Sequence, residues 1–470
     1  MYGQAERIIM LADMDCFFVE VERLHRPELR GQAVIIGGQP HRRGVVSACS
    51  YEARRFGVHS AMPMGEAYRR LGLDPSHPLA EGQTIERRGV TVNFLHSGLH
   101  GNYGLYSRRV QDVVSSLVPV FRPKSVDEFE MDITGCETIF RRDYGGIVEF
   151  AEELRRRVRS EVGLPMSIGI GPGRLVAKMA SRHAKPDGVF RVLPQEAVSF
   201  LAPHDVQDVP GIGPATAGTL RDMGINRVGQ LLQQDQALLR QTFGIGMWSL
   251  VNTLKHGEDR AVPPPNTGGG MSEHGSMGLL MREDGHESPA IGFGPARGKP
   301  KSIGHSVTLE RDTLDTALIR RTLWRLTEDA CRRLREKDLA AGHVTVTIRY
   351  SDFQTISHGV MLNEPTDLDR VVYETALRLF DEARTRRLRI RLLGVRLEKL
   401  KPGLSQLSLF EPKSVTRERQ LTHTLDALRE KHGRDVVLLG PGVNQIGSER
   451  ISTDSQAGVS VSMSPQRSAV

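Results

Sequence analysis

Two acidic clusters carry residue types that phosphoryl chemistry needs. The first closes an apolar run: Ile8, Ile9, Met10, Leu11 and Ala12 lead straight into Asp13, Met14 and Asp15, within "LADMDCFF" (residues 11–18). Ending a buried strand on two carboxylates is costly unless a cation or hydrogen bonds compensate them. The second cluster is "KSVDEFEMDITG" (124–135), where Asp127 and Glu128 are adjacent. Neighbours on a regular strand point to opposite faces, so both acids reach one ion only from a hairpin tip or a bulge. If that tip lies beside the end of the first strand, Asp13, Asp127 and Glu128 converge. With the Met14 carbonyl they suit two Mg²⁺ ions, which prefer oxygen ligands and keep room for substrate phosphates. Two metals about 4 Å apart stabilise the entering and leaving oxygens of an in-line phosphoryl transfer. The competing reading is unrelated surface acids, and neither cluster decides the matter alone.

Other segments supply partners for such a centre. In "SYEARRFGVHSAMPMGEA", Tyr51 and Arg54 stand one helical turn apart, and a phenol beside a guanidinium can grip a triphosphate. "VQDVPGIGPATAGTLRDMGI" places Gly211 and Gly213 in a PGIG turn between two helical patterns. That reads as a helix–hairpin–helix, whose glycines let backbone N–H groups approach a phosphate at a helix N-terminus without reading sequence; the competing reading is a plain helix–turn–helix packing element. In "RTRRLRIRLLGVRLEKLK" (384–401), alternation puts Arg387, Arg389 and Arg391 on one strand face and Leu388, Ile390 and Leu392 on the other, as a sheet lying across a DNA backbone requires. "QLSLF" follows, and Gln406, Leu409 and Phe410 resemble the bacterial pentapeptide that inserts into a sliding clamp. His96 and His100 lack a Cys or acidic partner at zinc spacing and read as loop histidines.

The elements that must hold these residues follow from periodicity. Strands are expected at Ile8–Ala12, Ala33–Ile36, Val45–Ala48, Phe129–Ile133 and Met166–Ile170, with helices at Ser107–Val118 and Ile147–Val162. Residues 78–102 show no sustained period and read as an irregular loop. Short helical signals fill 203–257, and 261–300 is a Gly/Pro-rich linker. A second α/β unit has strands at Val307–Leu309, His343–Tyr350, Ile356–Val360 and Ile390–Leu397, and helices at Asp315–Lys337 and Asp367–Thr385. One helix, Thr416–His432, precedes a disordered end.

Bulk properties agree. A chain of 470 residues exceeds one core and predicts three to five domains. Lys plus Arg (63) exceed Asp plus Glu (56), giving +7, which favours a polyanionic partner. Four scattered cysteines with no CxxC pair argue against a zinc knuckle or disulfide framework and fit a reducing cytosol. No run is long enough to cross a bilayer and the N-terminal run is too short for a signal peptide, so a cytoplasmic protein is expected.

Over residues 7 to 410 the chain resembles the Y-family, or translesion, DNA polymerases, and most closely the bacterial DNA polymerase IV type. The resemblance rests on "DMDCFFVEVE", "GVVSACSYEARRFGVHSAMPMGEA", "SVDEFEMDITG", "GIGPGRLVAKMASRHAKPDG", "VPGIGPAT", "KSIGHS" and "QLSLF", in family order and at family-like spacing except for a longer loop at 78–102 and a longer linker at 268–297. It implies an α+β multidomain polymerase right hand: a palm with a mixed sheet (1–17 and 103–200), small fingers (18–102), a helical thumb with the helix–hairpin–helix (201–260), the linker (261–300), an α/β little finger (301–400) and a clamp-binding tail (401–470). It implies that Asp13, Asp127 and Glu128 bind the two metals with the Met14 carbonyl, Glu128 being the family's active-site acid. Phe18 becomes the steric gate against a ribose 2′-hydroxyl, and Tyr51, Arg54 and Lys185 hold the incoming dNTP. Asp15 braces the turn. The implied activity is low-fidelity, template-directed primer extension by a monomer that binds primer–template DNA and the sliding clamp.

The sequence departs from the family in places. Ala48 and Ser50 stand where the family has Thr or Ser and Asn, Glu130 replaces an aromatic, and "GPGR" (171–174) replaces Ser-x-Asn-Lys, so that Arg174 takes over a Lys role. Two rivals remain: a non-catalytic scaffold binding DNA and clamp, which has no need of the acid trio, and a palm-fold nucleotidyl cyclase, which would lack PGIG, the basic strand and QLSLF.

Overall fold

A computed structural model describes residues 7–80, 83–96, 103–118, 120–257, 300–403, 413–432 and 436–437. The chain divides after Lys299 into two units. In the first, strands β1 (Ile9–Met14), β2 (Ala33–Gly37), β3 (Val46–Cys49), β4 (Thr84–Arg87), β5 (Val90–His96), β6 (Phe121–Pro123), β7 (Glu128–Asp132), β8 (Met166–Gly171) and β9 (Val189–Arg191) build two sheets. Helices α1 (Phe17–His25), α2 (Tyr51–Arg54), α3 (Met64–Arg70), α4 (Tyr103–Leu117), α5 (Glu137–Tyr144), α6 (Ile147–Val162) and α7 (Arg174–Ala184) pack on them.

The first sheet runs β6-β7-β1-β8-β9 and is mixed: β1 lies antiparallel to β7 and β8, while β8 and β9 are parallel. Alternation gives β1 two dry faces. Met10, Ala12 and Met14 join Phe129, Met131, Phe150 and Leu154 in the main core, whereas Ile9 and Leu11 pack on Ala177 of α7. Helix α7 approaches β8 closely because Gly169 has no side chain; a Cβ there would overlap the Ala177 carbonyl and the Ser181 amide.

The second sheet runs β3-β2-β5-β4. The irregular loop expected over 78–102 is corrected here: 84–87 and 90–96 form a hairpin closed by Arg88 and Gly89, both at positive φ, and β5 pairs in parallel with β2. After β9, helices α8 (Ala197–Leu201), α9 (Pro214–Asp222), α10 (Val228–Leu232), α11 (Gln236–Phe243) and α12 (Ile245–His256) enclose Leu201, Val206, Leu220, Leu239 and Val251. Residues 258–299, which contain nearly all of the expected linker, lie outside the described residues.

In the second unit, β10 (Ser302–Thr313), β11 (Leu339–Tyr350), β12 (Thr355–Thr366) and β13 (Ile390–Pro402) form an antiparallel sheet ordered β10-β13-β11-β12. Helices α13 (Thr316–Arg335) and α14 (Asp369–Ala383) share a core with its Val344, Val346, Leu393 and Leu397 side chains. Helix α15 (Lys413–His432) is tied to this unit by Arg335–Asp426 at 2.6 Å, Arg429–Glu328 at 2.9 Å and Arg370–Glu418 at 3.2 Å. No helix among the described residues is long and apolar enough to cross a membrane.

Candidate functional site

The site grows from the register of the central strands. Asp13, near the end of β1, lies opposite Glu128, the first residue of β7. Asp127 precedes it in the β6–β7 turn, which is closed by the Lys124 amide donating to the Glu128 carbonyl at 2.8 Å. The Met14 amide donates to the Asp127 carbonyl at 2.9 Å and pins that turn to β1. The adjacent acids therefore do sit at a hairpin tip beside the first strand.

Each carboxylate has its own partner. Lys185 Nζ pairs with Asp13, Lys178 Nζ lies 2.6 Å from Glu128 Oε2, and Ser125 Oγ donates to Asp127. Among the described residues no three His, Cys, Asp or Glu side chains already share a metal-sized point. The donor chemistry nonetheless fits a divalent cation: all three groups are oxygen ligands at one end of two paired strands. Burial pushes the Asp13 carboxyl above the usual range against the pull of Lys185, and the charges of Asp127 and Glu128 push it further. A cation there would relieve that repulsion.

Asp15 is 2% exposed and fully engaged. It accepts from Tyr51 Oη at 3.0 Å, Ser167 Oγ at 2.8 Å and the Asp187 amide at 2.8 Å. One buried carboxylate thus joins the end of β1 to α2, to β8 and to the turn carrying Lys185. Burial, then the Asp15 charge, raises the Tyr51 phenol, so it stays a donor. Arg54 lies over the Tyr51 ring with its guanidinium carbon 4.9 Å from the centroid, which puts both residues on one face. Ser50 is no stand-in for a phosphate ligand: fully buried, its Oγ caps α2 through the Ala53 amide and accepts from the Val34 amide.

Phe18 is the second residue of α1, whose N-cap Cys16 has a left-handed backbone (φ 44°) that makes the sharp exit from β1. Its ring stacks on Tyr103 at 4.0 Å. Sequence reasoning missed Tyr103, and also Lys178; the latter had a signal, since Lys178 follows Arg174 by four positions, one helical turn along α7. Arg174 Nε donates to Glu130 Oε1 at 2.8 Å, and Lys124 Nζ is 3.7 Å from its other oxygen, so Glu130 is not a bare negative charge.

In the PGIG turn Gly211 has φ +99°, and Gly213 is the N-cap of α9 without a side-chain cap, leaving the helix N-terminus to an outside acceptor. The expected basic strand face is corrected. Arg387 and Arg389 precede β13, and Arg391 falls where the register slips between Tyr350↔Ile390 and Arg349↔Leu392. The bulge ends the alternation, so Leu392 is not on the face of Ile390 and Leu393. Arg391 itself lies 4.4 Å over Phe353 and 3.7 Å from Asp312. Gln406, Leu409 and Phe410 lie outside the described residues.

Comparison with known proteins agrees with this architecture. Residues 12–182 match the model of the impB/mucB/samB family, and residues 300–409 match the model of that family's C-terminal domain. The chain is 32% identical over 435 residues to DNA polymerase IV of Dehalococcoides mccartyi (strain CBDB1), covering 92% of this chain and 97% of that one. It is 32% identical over 408 residues to DNA polymerase IV of Halorhodospira halophila, covering 86% and 98%. Among solved structures, a Y-family DNA polymerase chimera of Dbh and Dpo4 superposes with a TM-score of 0.63 at 20% identity, over 84% of this chain and all of that one, a likeness of fold.

Proposed function

This chain belongs to the impB/mucB/samB family and is a Y-family, DNA-directed DNA polymerase of the DNA polymerase IV type, and from that premise we propose that it extends DNA primers across damaged template at the Asp13–Asp127–Glu128 centre. The observation that carries the proposal is the register of Asp13 against Glu128, with Asp127 in the adjoining turn, Lys178 of α7 paired with Glu128 and Lys185 at the C-cap of α7 paired with Asp13. Asp13, Asp127, Glu128 and the Met14 carbonyl would hold two Mg²⁺ ions. When bound, these supply activation of the primer 3′-hydroxyl and charge stabilisation on the leaving pyrophosphate.

The chain's own residues do the rest. Tyr51, Arg54 and Lys185 grip the incoming dNTP through its triphosphate, Arg54 as a planar donor braced on the Tyr51 ring and Lys185 as a point charge. Asp15 fixes Tyr51 and the Lys185 turn relative to β1, so the grip and the acids keep one geometry. Phe18 sits where a ribose 2′-hydroxyl would lie. Gly211 and Gly213 offer backbone amides to the DNA backbone, the second unit serves as the little finger, and Gln406–Phe410 engages the sliding clamp.

The test is single-nucleotide primer extension with Mg²⁺, comparing the native chain with Asp127→Ala plus Glu128→Ala. The expected result is templated addition by the native chain and none by a double variant that still binds primer–template. A native chain that binds DNA and never extends it overturns the proposal in favour of a scaffold.

A further inference from the structure

Helix α7 lays three cations against three acids in order. Lys185, just past its C-terminal end, meets Asp13; Lys178 meets Glu128; Arg174, at its N-terminal end, meets Glu130. The eleven residues of α7, from Arg174 to the residue before Lys185, span about 16 Å. The paired acids likewise step along the sheet away from the reaction centre. Glu128 and Glu130 are two residues apart on β7 and share a face, because Phe129 and Met131 between and beyond them are fully buried in the core on the other.

In-line phosphoryl transfer sets what each end can face. The attacking and leaving oxygens lie on opposite sides of the reacting phosphorus, so primer and triphosphate approach from opposite directions. If Lys185 holds the triphosphate, the Arg174 end of α7 faces the primer. Glu130 stands about 6.8 Å along β7 from Glu128, close to two nucleotide rises of a DNA strand. The pair is built to offer a cation outward: the Glu130 side chain is 8% exposed, while those of Arg174 and Lys124, both beside it, are 43% and 41% exposed. A guanidinium has five N–H donors, enough to hold a carboxylate and a phosphate together.

We propose that Arg174, oriented by Glu130, grips a phosphate of the primer strand within the last three internucleotide linkages and so positions the 3′-hydroxyl at the acid centre. The proposal rests on reading Asp13, Asp127 and Glu128 as that centre. It gives Glu130 and Arg174, two departures from the family pattern, a joint role: the acid anchors the arginine.

Primers carrying one uncharged methylphosphonate at the last, second or third linkage from the 3′ end, extended in single turnover, test it. The native chain is expected to lose about tenfold at one of these linkages, the worth of a charge-assisted hydrogen bond. Arg174→Ala is expected to be about tenfold slower on the unmodified primer but to lose no more than about twofold further at that same linkage, with Arg174→Lys recovering part of the rate. A role only in folding would give no linkage-specific coupling. Losses that multiply at every linkage overturn the proposal while leaving the polymerase reading intact. A native chain that extends no primer overturns both.

Discussion

Phe18 lies flat against Tyr103, with ring centroids 4.0 Å apart and planes 13° from parallel. Tyr103 is itself fixed, its hydroxyl donating to Glu22 Oε1 at 2.6 Å one turn along the same helix as Phe18. A gate against a 2′-hydroxyl works only if its ring cannot swing aside, and this stack supplies the backing. Phe18→Ala should admit ribonucleotides freely. Tyr103→Ala keeps the gate and removes its brace, and a stacked pair is worth about 0.5–1.5 kcal/mol, so discrimination should fall about two- to tenfold. Competing ribo- and deoxynucleotide incorporation measures both. Native discrimination in Tyr103→Ala would mean that the stack does not hold the gate.

The two glycines of the PGIG turn should behave differently. Gly211, at φ +99°, has a backbone that other residues adopt only with strain, so Gly211→Ala should cost about 1 kcal/mol or more in stability. Gly213 has φ −82°, and a Cβ there would meet nothing within 4 Å. Gly213→Ala should therefore fold with stability within about 0.5 kcal/mol of native. If DNA lies against this turn, the same variant should bind primer–template more weakly. Native binding by a stable Gly213→Ala chain would remove the turn from the DNA interface.

The ion cluster beneath α15 predicts a pH dependence of the second unit. Arg335, 4% exposed at its side chain, holds Asp369 at 3.0 Å and Asp426 at 2.6 Å. Burial pushes the Asp369 carboxyl up to about 6 in spite of Arg335. The unfolded value is about 3.9, so between pH 4 and 6 the folded state binds more protons, and stability falls as pH rises through that window, by about 2–3 kcal/mol. Asp369→Asn should lack this slope and gain that much on the native chain between about pH 4 and pH 7. Arg335→Met should cost about 3–5 kcal/mol at neutral pH, because two carboxylates stay without their cation, and less in acid. Denaturation followed by Trp324 fluorescence in a Trp248→Phe background reads all three. A Asp369→Asn chain that tracks the native pH profile would show that the carboxyl does not titrate in this range.

What the sequence made legible depended on how far each signal was local. Helix α6 has its expected bounds, Ile147–Val162, because its apolar spacing is regular and Gly146 and Gly163 flank it. The Asp–Glu pair could be assigned to a hairpin tip because adjacent strand residues cannot share a face. The β4–β5 hairpin was hidden because β4 is four residues long with one apolar side chain, Ile85, too few to show the alternation that marks a strand. Arg387 and Arg389 lie off the expected strand face because pairing begins only at Ile390, and Arg391 because a bulge leaves no periodic trace when seen from one strand. Tyr103 owes its place to a contact with a residue 85 positions away in sequence (Phe18), for which the local pattern carries no signal; Lys178 has a helical spacing from Arg174, but its partner Glu128 lies 50 positions away.

Gly169 sets the distance on which the whole centre depends. It lies in the middle of β8, paired with Leu11 of β1, and α7 crosses it so closely that a Cβ would overlap the Ala177 carbonyl oxygen and the Ser181 amide nitrogen. Both are backbone atoms of the helix, so no side-chain rotation can make room; the helix must move. Lys178 lies between these two contacts in sequence and Lys185 follows the helix, so that shift carries both lysines away from Glu128 and Asp13. Gly169→Ala should lose about 1–3 kcal/mol of stability, as overpacking does. Its single-turnover extension should fall further than the folded fraction accounts for, because the molecules that fold do so with α7 displaced. Gly218→Ala is the control: a Cβ at Gly218, in α9, meets nothing within 4 Å, and relief of the helical glycine should raise stability by up to about 1 kcal/mol without touching extension. If Gly169→Ala loses stability but its folded fraction extends at the native rate, the spacing of α7 from β8 matters to the fold and not to the chemistry.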